Sequence, residues 1–333
     1  MTDRPTDERA DPARASAQEP PQRVGELRGV ELLTEIATRF YLHGDTQIRI
    51  AGDMGLDPST VSRYLKRARD EGIVRVEIRP PRRQDADLGR AIAERYAVSR
   101  VVVATAASGT ARSTLPAVAA DYLGGLLRSG MRVGVGWGET LSSVVQFMEP
   151  SAVTALTICQ LAGGLSESVP GIQGHELVRH LAGLYPDSRV QYLHAPSIVD
   201  SATIRAAIMS DSSVEAALAT AAASDLALVG IGPMDEDATL IRAGDLGRAD
   251  VLRLIHLGAV GSMNARFYDI AGKPVTWLDE RTVGISWAEL RAIPLVVAVA
   301  GGAHKADAIR AALETGCVTA LVTDEAAGTL LAG

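Results

Sequence analysis

The chain is poor in residues that staple, stack or span. Its two cysteines, Cys159 and Cys317, lie in apolar runs and share no metal-ligand spacing, so they read as small core residues and not as a disulfide pair or a zinc site. Aromatic residues make up only 4%, and the core must therefore be built from Ala, Val, Leu and Ile, within a hydrophobic fraction of 47%. No window reaches the ~18 apolar residues that a membrane helix needs, and the N-terminus lacks an apolar signal region; a cytoplasmic location is expected. An excess of positive charge is missing too. A net charge of −7 argues against a protein that coats nucleic acid everywhere, yet it permits a local basic face on an acidic body.

At 333 residues the chain suits two domains. Residues 1–28 are rich in Pro, Ala, Gln and mixed charge and are expected to form a disordered tail, because too little apolar surface is available to offset ordering entropy. A first domain is expected over 29–80. Val30, Leu32, Leu33, Ile36, Ala37, Phe40 and Tyr41 make a wide apolar helical face. The stretch QIRIAGDMGLDPSTVSRYLKRAR, Gln47 to Arg69, reads as two helices around a tight turn. Gly55 sits where the chain reverses, Asp57 is placed to cap the next helix through its side chain, and Pro58 takes its first position. Ala51, Gly55 and Val61 fall where a helix-turn-helix needs a small residue, a turn and a branched seal. Val61, Leu65 and Ala68 face inward. The other face carries Ser59, Thr60, Ser62, Arg63, Lys66, Arg67 and Arg69 with no acid among them. Short hydroxyls followed by arginines equip a helix for a major groove, so Gln47, Ser59, Thr60, Ser62, Arg63, Lys66 and Arg67 are the candidate contacts to double-stranded DNA. IVRVEIR alternates like a strand, a short β-wing, and Pro80–Pro81 breaks the pattern at a domain boundary.

From 85 to 333 the pattern changes to near-continuous apolar strands separated by helices: VVVA, MRVGVG, TALTICQL, RVQYLH, DLALVGIG, IPLVVAVAGG and VTALVT. That alternation predicts a doubly wound α/β, Rossmann-like domain, with a parallel sheet covered on both faces. Ligands in such sheets sit outside the carboxyl ends of the strands. Several loops there are rich in glycine. GVGWGET offers Gly136, Trp137, Gly138, Glu139 and Thr140 at a strand-to-helix turn, where helix amides can hold an anion. Gly163–Gly164 follows TICQL, Gly232 lies in GIGP, and AGGAHK places Lys305 one turn into the following helix. A lysine there can meet a phosphate or carboxylate as a point charge. Each loop alone is weak, but together they predict a small-molecule pocket.

The blocks TQIRIAGDMG, TVSRYLKRARDEGIV, VGVGWGETL, QLAGG, YLHAP, ALVGIGP, GAVG, FYDIAGKPV, VAVAGGAHKADAI and LVTDEAA, in this order, resemble the SorC family of sugar-responsive bacterial transcriptional regulators. The resemblance covers nearly everything after the tail. It implies an effector domain similar to phosphosugar isomerases, a sugar, polyol or phosphosugar effector, and a dimer or tetramer. It further implies that Gly136 to Thr140, Gly163, Gly164, Asp269 and Lys305 line the ligand site. One departure stands out: many relatives carry a threonine or basic residue where this chain has Glu139. A carboxylate beside a dianion is repulsive by roughly 1–4 kcal/mol. Either Glu139 points away, or it accepts hydrogen bonds from hydroxyls of an unphosphorylated polyol. Lys305 and the helix N-termini favour the phosphorylated ligand.

Two other functions compete. An isomerase needs a carboxylate base beside a helper, and Asp225, Asp235, Asp269, Glu139, His194 and His304 offer no recognisable catalytic spacing. Turnover would also defeat a sensor fused to a DNA reader. A purely architectural DNA-binding oligomer leaves the glycine loops without a task. No cofactor and no metal is called for.

Overall fold

The computed structural model describes residues 29–74, 83–105, 114–165, 173–235 and 239–333. The expected tail, the Pro80–Pro81 boundary and nearly all of the expected β-wing lie outside the described residues. The chain divides into two compact units, Met1–Ile78 and Arg79–Gly333.

In the first unit, α1 (Val30–Tyr41), α2 (Gln47–Met54) and α3 (Pro58–Asp70) enclose a small core. Leu33, Ile36, Ile50, Ala51, Val61, Leu65 and Ala68 are its most buried members, all on the faces that the apolar spacing selects. Gly55 ends α2 in the left-handed region at φ 65°, which only a residue without a Cβ enters at little cost. The turn is closed by Leu56 N–H donating to the Ala51 carbonyl at 2.9 Å. Arg39 of α1 braces the unit through Asp45 (2.8 Å) and Asp53. One local expectation needs correction. Asp57 is the N-cap of α3 but its side chain makes no capping hydrogen bond; α2 is the one of the two helices with a side-chain cap, from Thr46, whose hydroxyl accepts from Arg49 N–H at 3.2 Å. Ile48, apolar and at the start of α2, is 74% exposed.

The second unit begins with β1 (Arg83–Gln84), α4 (Ala86–Arg95), β2 (Arg100–Thr105), α5 (Leu115–Leu126), β3 (Arg132–Val135) and α6 (Glu139–Phe147). It continues with β4 (Thr157–Gln160), α7 (Gly174–Gly183), β5 (Arg189–Gln191), α8 (Ala202–Met209), α9 (Ser212–Ala222) and β6 (Leu226–Gly230). Then follow β7 (Gly232–Pro233), α10 (Thr239–Arg242), α11 (Arg248–His256), β8 (Ala259–Met263), β9 (Arg266–Asp269) and β10 (Pro274–Val275). The chain ends with α12 (Trp287–Ala292), β11 (Leu295–Val299), α13 (Ala306–Glu314), β12 (Ala320–Asp324) and α14 (Glu325–Ala332).

Eight strands form one sheet in the order β1-β2-β12-β11-β6-β3-β4-β5, parallel throughout except for the short antiparallel edge strand β1. Alternation along each strand assigns its residues to two cores. Val101, Val103, Val296 and Ala298 pack into one, and Val102, Ala104, Val297 and Val299 into the other. Both faces are thus covered by helices, which is why these strands read as unbroken apolar runs. The strand order reverses between β3 and β6: the chain runs outward from β3 to β4 and β5, then returns to add β6 on the opposite side of β3. Such a reversal leaves a crevice at the carboxyl ends.

A four-stranded antiparallel sheet, β10-β9-β8-β7, was not expected from the sequence. Its strands are short, and the two-residue β7 and β10 carry no readable period. Phe267, Ala265 and Ala259 pack with Leu254, Leu246 and Leu240 of the neighbouring helical segment into a third core. This layer stands over the crevice.

Candidate functional site

A cavity of about 430 Å³ opens at the strand reversal. That size lies within the range of small-molecule sites. One wall is the loop after β3 and the start of α6: Trp137, Gly138, Glu139, Thr140 and Leu141. A second is the run after β6, Gly230 to Asp235, and a third is Leu240 to Arg242 of α10. Ser262, Asn264 and Phe267 come from the β8–β9 hairpin, and His304 and Lys305 from the loop after β11.

The charge pattern is specific. Gly138, at φ 121°, is the N-cap of α6, and the first-turn amides of that helix have no intrahelical carbonyl to bond. Lys305 ends a 3-10 turn, Ala303–Lys305, and is the N-cap of α13, so it precedes the helix into which the sequence placed it. Burial holds its ammonium below the ordinary lysine range, against the opposing pull of Asp235, Glu139 and Asp324. Glu139 lines the cavity, and its carboxylate is ion-paired with Arg242 at the cavity wall. Arg242 was missed because it lies 103 positions from Glu139, in a segment with no readable motif.

Of the sequence-derived ligand set, Trp137, Gly138, Glu139, Thr140, Gly232 and Lys305 meet at this cavity. Gly136 lies directly beneath the hairpin, where a Cβ would stand 2.6 Å from Asn264 Oδ1. The other three are elsewhere. A Cβ on Gly163 would stand 2.3 Å from the Pro196 carbonyl oxygen, so that glycine permits close passage of two chain segments. Gly164 donates to the Ala195 carbonyl (2.8 Å) and lines a separate hollow with Gln173 and His194. Asp269 accepts from Ala271 N–H (2.9 Å) and Lys273 N–H (2.8 Å), which commits it to the β9–β10 turn and not to the cavity. Short polar side chains close to glycine make such turns in most proteins, and this one was mistaken for a ligand contact.

The candidate catalytic groups assemble only in part: Glu139, Asp235 and His304 line the cavity, and Asp225, Asp269 and His194 are not among its lining. Asp225 accepts from Arg132 N–H at 2.7 Å and ties the start of β6 to β3. His194 stacks at a tilt on Tyr192 in the separate hollow, while His304 and Asp235 stand at the cavity.

On the first unit, α3 exposes Ser59, Ser62, Arg63, Lys66 and Arg67, with Thr60 half-buried; Gln47 at the start of α2 is also half-buried. Arg67 is paired with Glu71 at 2.6 Å. Arg63 and Lys66 make no ion pair among the described residues, which leaves two cations on this face for an outside anion.

Comparisons with known proteins agree with this architecture. Residues 81–332 match the Sugar-bind family model, described as "Putative sugar-binding domain". The transcriptional regulator LsrR of Enterobacter sp. (strain 638) is 32% identical over 304 residues, covering 89% of this chain and 90% of that protein. The deoxyribonucleoside regulator of Bacillus subtilis (strain 168) is 28% identical, covering 89% and 95%. Among solved structures, the full-length sorbitol operon regulator SorC of Klebsiella pneumoniae superposes with a TM-score of 0.69 at 26% identity, over 91% of this chain and 98% of that one. These relatives are named as regulators. The chain belongs to the SorC family of sugar-binding transcriptional regulators.

Proposed function

We propose that this chain is a DNA-binding repressor of a carbohydrate-utilisation operon, whose grip on its operator is set by a phosphorylated sugar held in the cavity at the β3–β6 reversal. The observation that carries the ligand class is the pairing of Glu139 with Arg242 beside Lys305 and the α6 N-terminus. With that carboxylate held by its own partner, the amides of α6 and the Lys305 ammonium attract a phosphate, against the carboxylate of Asp235 at the same cavity. The names of the relatives, a deoxyribonucleoside regulator and a sorbitol operon regulator, support a carbohydrate effector.

In this reading α3 enters the major groove. Ser59, Thr60 and Ser62 bond phosphates and base edges, Arg63 reads bases, and Lys66 and Arg67 neutralise backbone charge, with Gln47 at the groove edge. The second unit joins copies into a dimer or tetramer, so that paired α3 helices meet operator half-sites. Ligand binding favours one arrangement of those copies and thereby changes operator affinity. Residues 1–28 serve as a tail, 29–80 as the reading domain and 85–333 as the sensing and joining domain.

Fluorescence anisotropy on DNA from upstream of the chain's own gene tests the scheme. Arg63→Ala is expected to abolish specific operator binding and to spare ligand binding. Lys305→Ala is expected to keep operator binding and lose the response to sugar phosphates. A Lys305→Ala protein that answers sugar phosphates normally refutes the pocket; a wild-type protein that binds only free polyols refutes the phosphate.

A further inference from the structure

The cavity has a polar feature that the anion end does not use. Asn264 is 8% exposed, lines the cavity wall, and its side-chain Nδ2 has no hydrogen-bond partner among the described residues. The indole Nε1 of Trp137, at the same cavity, is likewise buried without a partner. An unpaired buried donor weakens the folded state, and two of them on residues that line one cavity are a debt that an incoming acceptor can settle. Backbone strain adds to this. Asn264 (φ 51°) and Ala265 (φ 59°) form the two-residue turn between Met263 and Arg266, both in the left-handed region. That is the turn geometry of tight hairpins, in which glycine is strongly favoured at the second position. Non-glycine residues held there are a form of strain that clusters at ligand sites. Gly136 belongs to the same device: any side chain on it would collide with Asn264 Oδ1 at 2.6 Å, so its absence lets the amide lie against the β3 loop.

We infer that Asn264 determines ligand specificity: its side-chain N–H, together with the Trp137 indole N–H, donates to a carbonyl or hydroxyl oxygen on the carbohydrate part of the ligand. The inference rests on the cavity being the effector site, and it adds a second recognition element that reads the sugar and not the phosphate. A ligand reduced to the anion alone leaves both donors unpaired, so the device discriminates sugar phosphates from free phosphate.

Asn264→Gly tests this with the turn kept, because glycine adopts φ 51° freely and the substitution removes the whole side chain, amide included. Ala265→Gly is the control for the backbone. Calorimetric titration of the full chain would use D-ribose 5-phosphate, D-fructose 6-phosphate, ribitol, D-sorbitol and inorganic phosphate, with thermal unfolding of each unliganded protein alongside. The expected result has three parts. Asn264→Gly binds the best carbohydrate about tenfold or more weakly than wild type. It binds inorganic phosphate equally well, and its unliganded melting temperature is unchanged or higher. Ala265→Gly keeps wild-type carbohydrate affinity. Unchanged carbohydrate affinity in Asn264→Gly, equal weakening toward phosphate, or a matching loss in Ala265→Gly would each overturn the assignment. If wild type takes a polyol but ignores phosphate, the anion end fails, and a weaker polyol affinity in Asn264→Gly still supports the role of Asn264. If wild type binds none of the five, both ideas fall.

Discussion

Lys305 shows how one side chain can be legible in kind but not in degree. Lysine after a glycine turn announces an anion contact; how far its charge is desolvated depends on walls supplied by other segments. With its folded-state affinity for protons lowered by burial, the native protein holds that proton less tightly than the unfolded chain does. The resulting penalty is present at neutral pH and is relieved as pH rises through the shifted value toward the ordinary one. Ligand binding has the opposite sign, since an anionic ligand needs the ammonium. Affinity for a sugar phosphate is therefore expected to fall with rising pH, beginning below the ordinary lysine range, and to lose that part of its slope in Lys305→Arg. Calorimetric titration across mildly alkaline pH measures it. Gly163 makes the complementary point. As a ligand glycine it would tolerate substitution at a cost in binding; as the structure has it, a Cβ meets the Pro196 carbonyl oxygen at 2.3 Å, a backbone group with little room to yield. Gly163→Ala is expected to destabilise by about 1–3 kcal/mol, by the usual cost of overpacking, with ligand affinity per folded molecule retained. Urea unfolding checks the first part and titration the second.

At the scale of elements, periodicity carried most of the reading. The apolar spacing of α1, α2 and α3 located their buried faces, and the turn at Gly55 was visible because only one residue type suits φ 65°. Caps were less legible: Asp57 and Thr46 both have the chemistry, and the fold uses the side chain of Thr46 alone. Thr46→Ala is thus expected to cost about 0.5–2 kcal/mol, and Asp57→Ala distinctly less, as read from thermal unfolding. The small sheet β10-β9-β8-β7 was not legible at all. Two-residue strands have no period, and the hairpin turn at Asn264–Ala265 lacks the glycine that normally announces one. The site residues that sequence reasoning missed, Arg242 and the β8–β9 hairpin, belong to this layer.

For the whole molecule, the proposed reader and sensor are separate units, so regulation is a coupling free energy between two sites. Reciprocity then makes a quantitative prediction. Whatever factor the effector imposes on operator affinity, operator DNA must impose on effector affinity. Anisotropy with and without ligand gives the first factor and calorimetry with and without DNA the second; unequal factors would rule out a simple two-site linkage. Salt dependence belongs to this scale as well. With Arg63 and Lys66 making no ion pair among the described residues and an acidic remainder, operator binding is expected to weaken steeply with salt, and Lys66→Ala to flatten that slope by about one unit at every sequence tested.

Sequence alone determined the parallel α/β class, the three-helix first unit, the basic face of α3 and the glycine-rich loop that starts α6, because each depends on neighbours within a few residues or on the period of a single element. Only the tertiary structure decided which of those loops share a cavity. Glu139 finds its counter-charge 103 positions away in Arg242, Asp269 is spent on its own turn, and Asn264 comes to lie over Gly136. Local preferences fix what a segment becomes, whereas the meeting of side chains from β3, α10, the β8–β9 hairpin and the β11 loop is set by how layers pack, and no single segment encodes that.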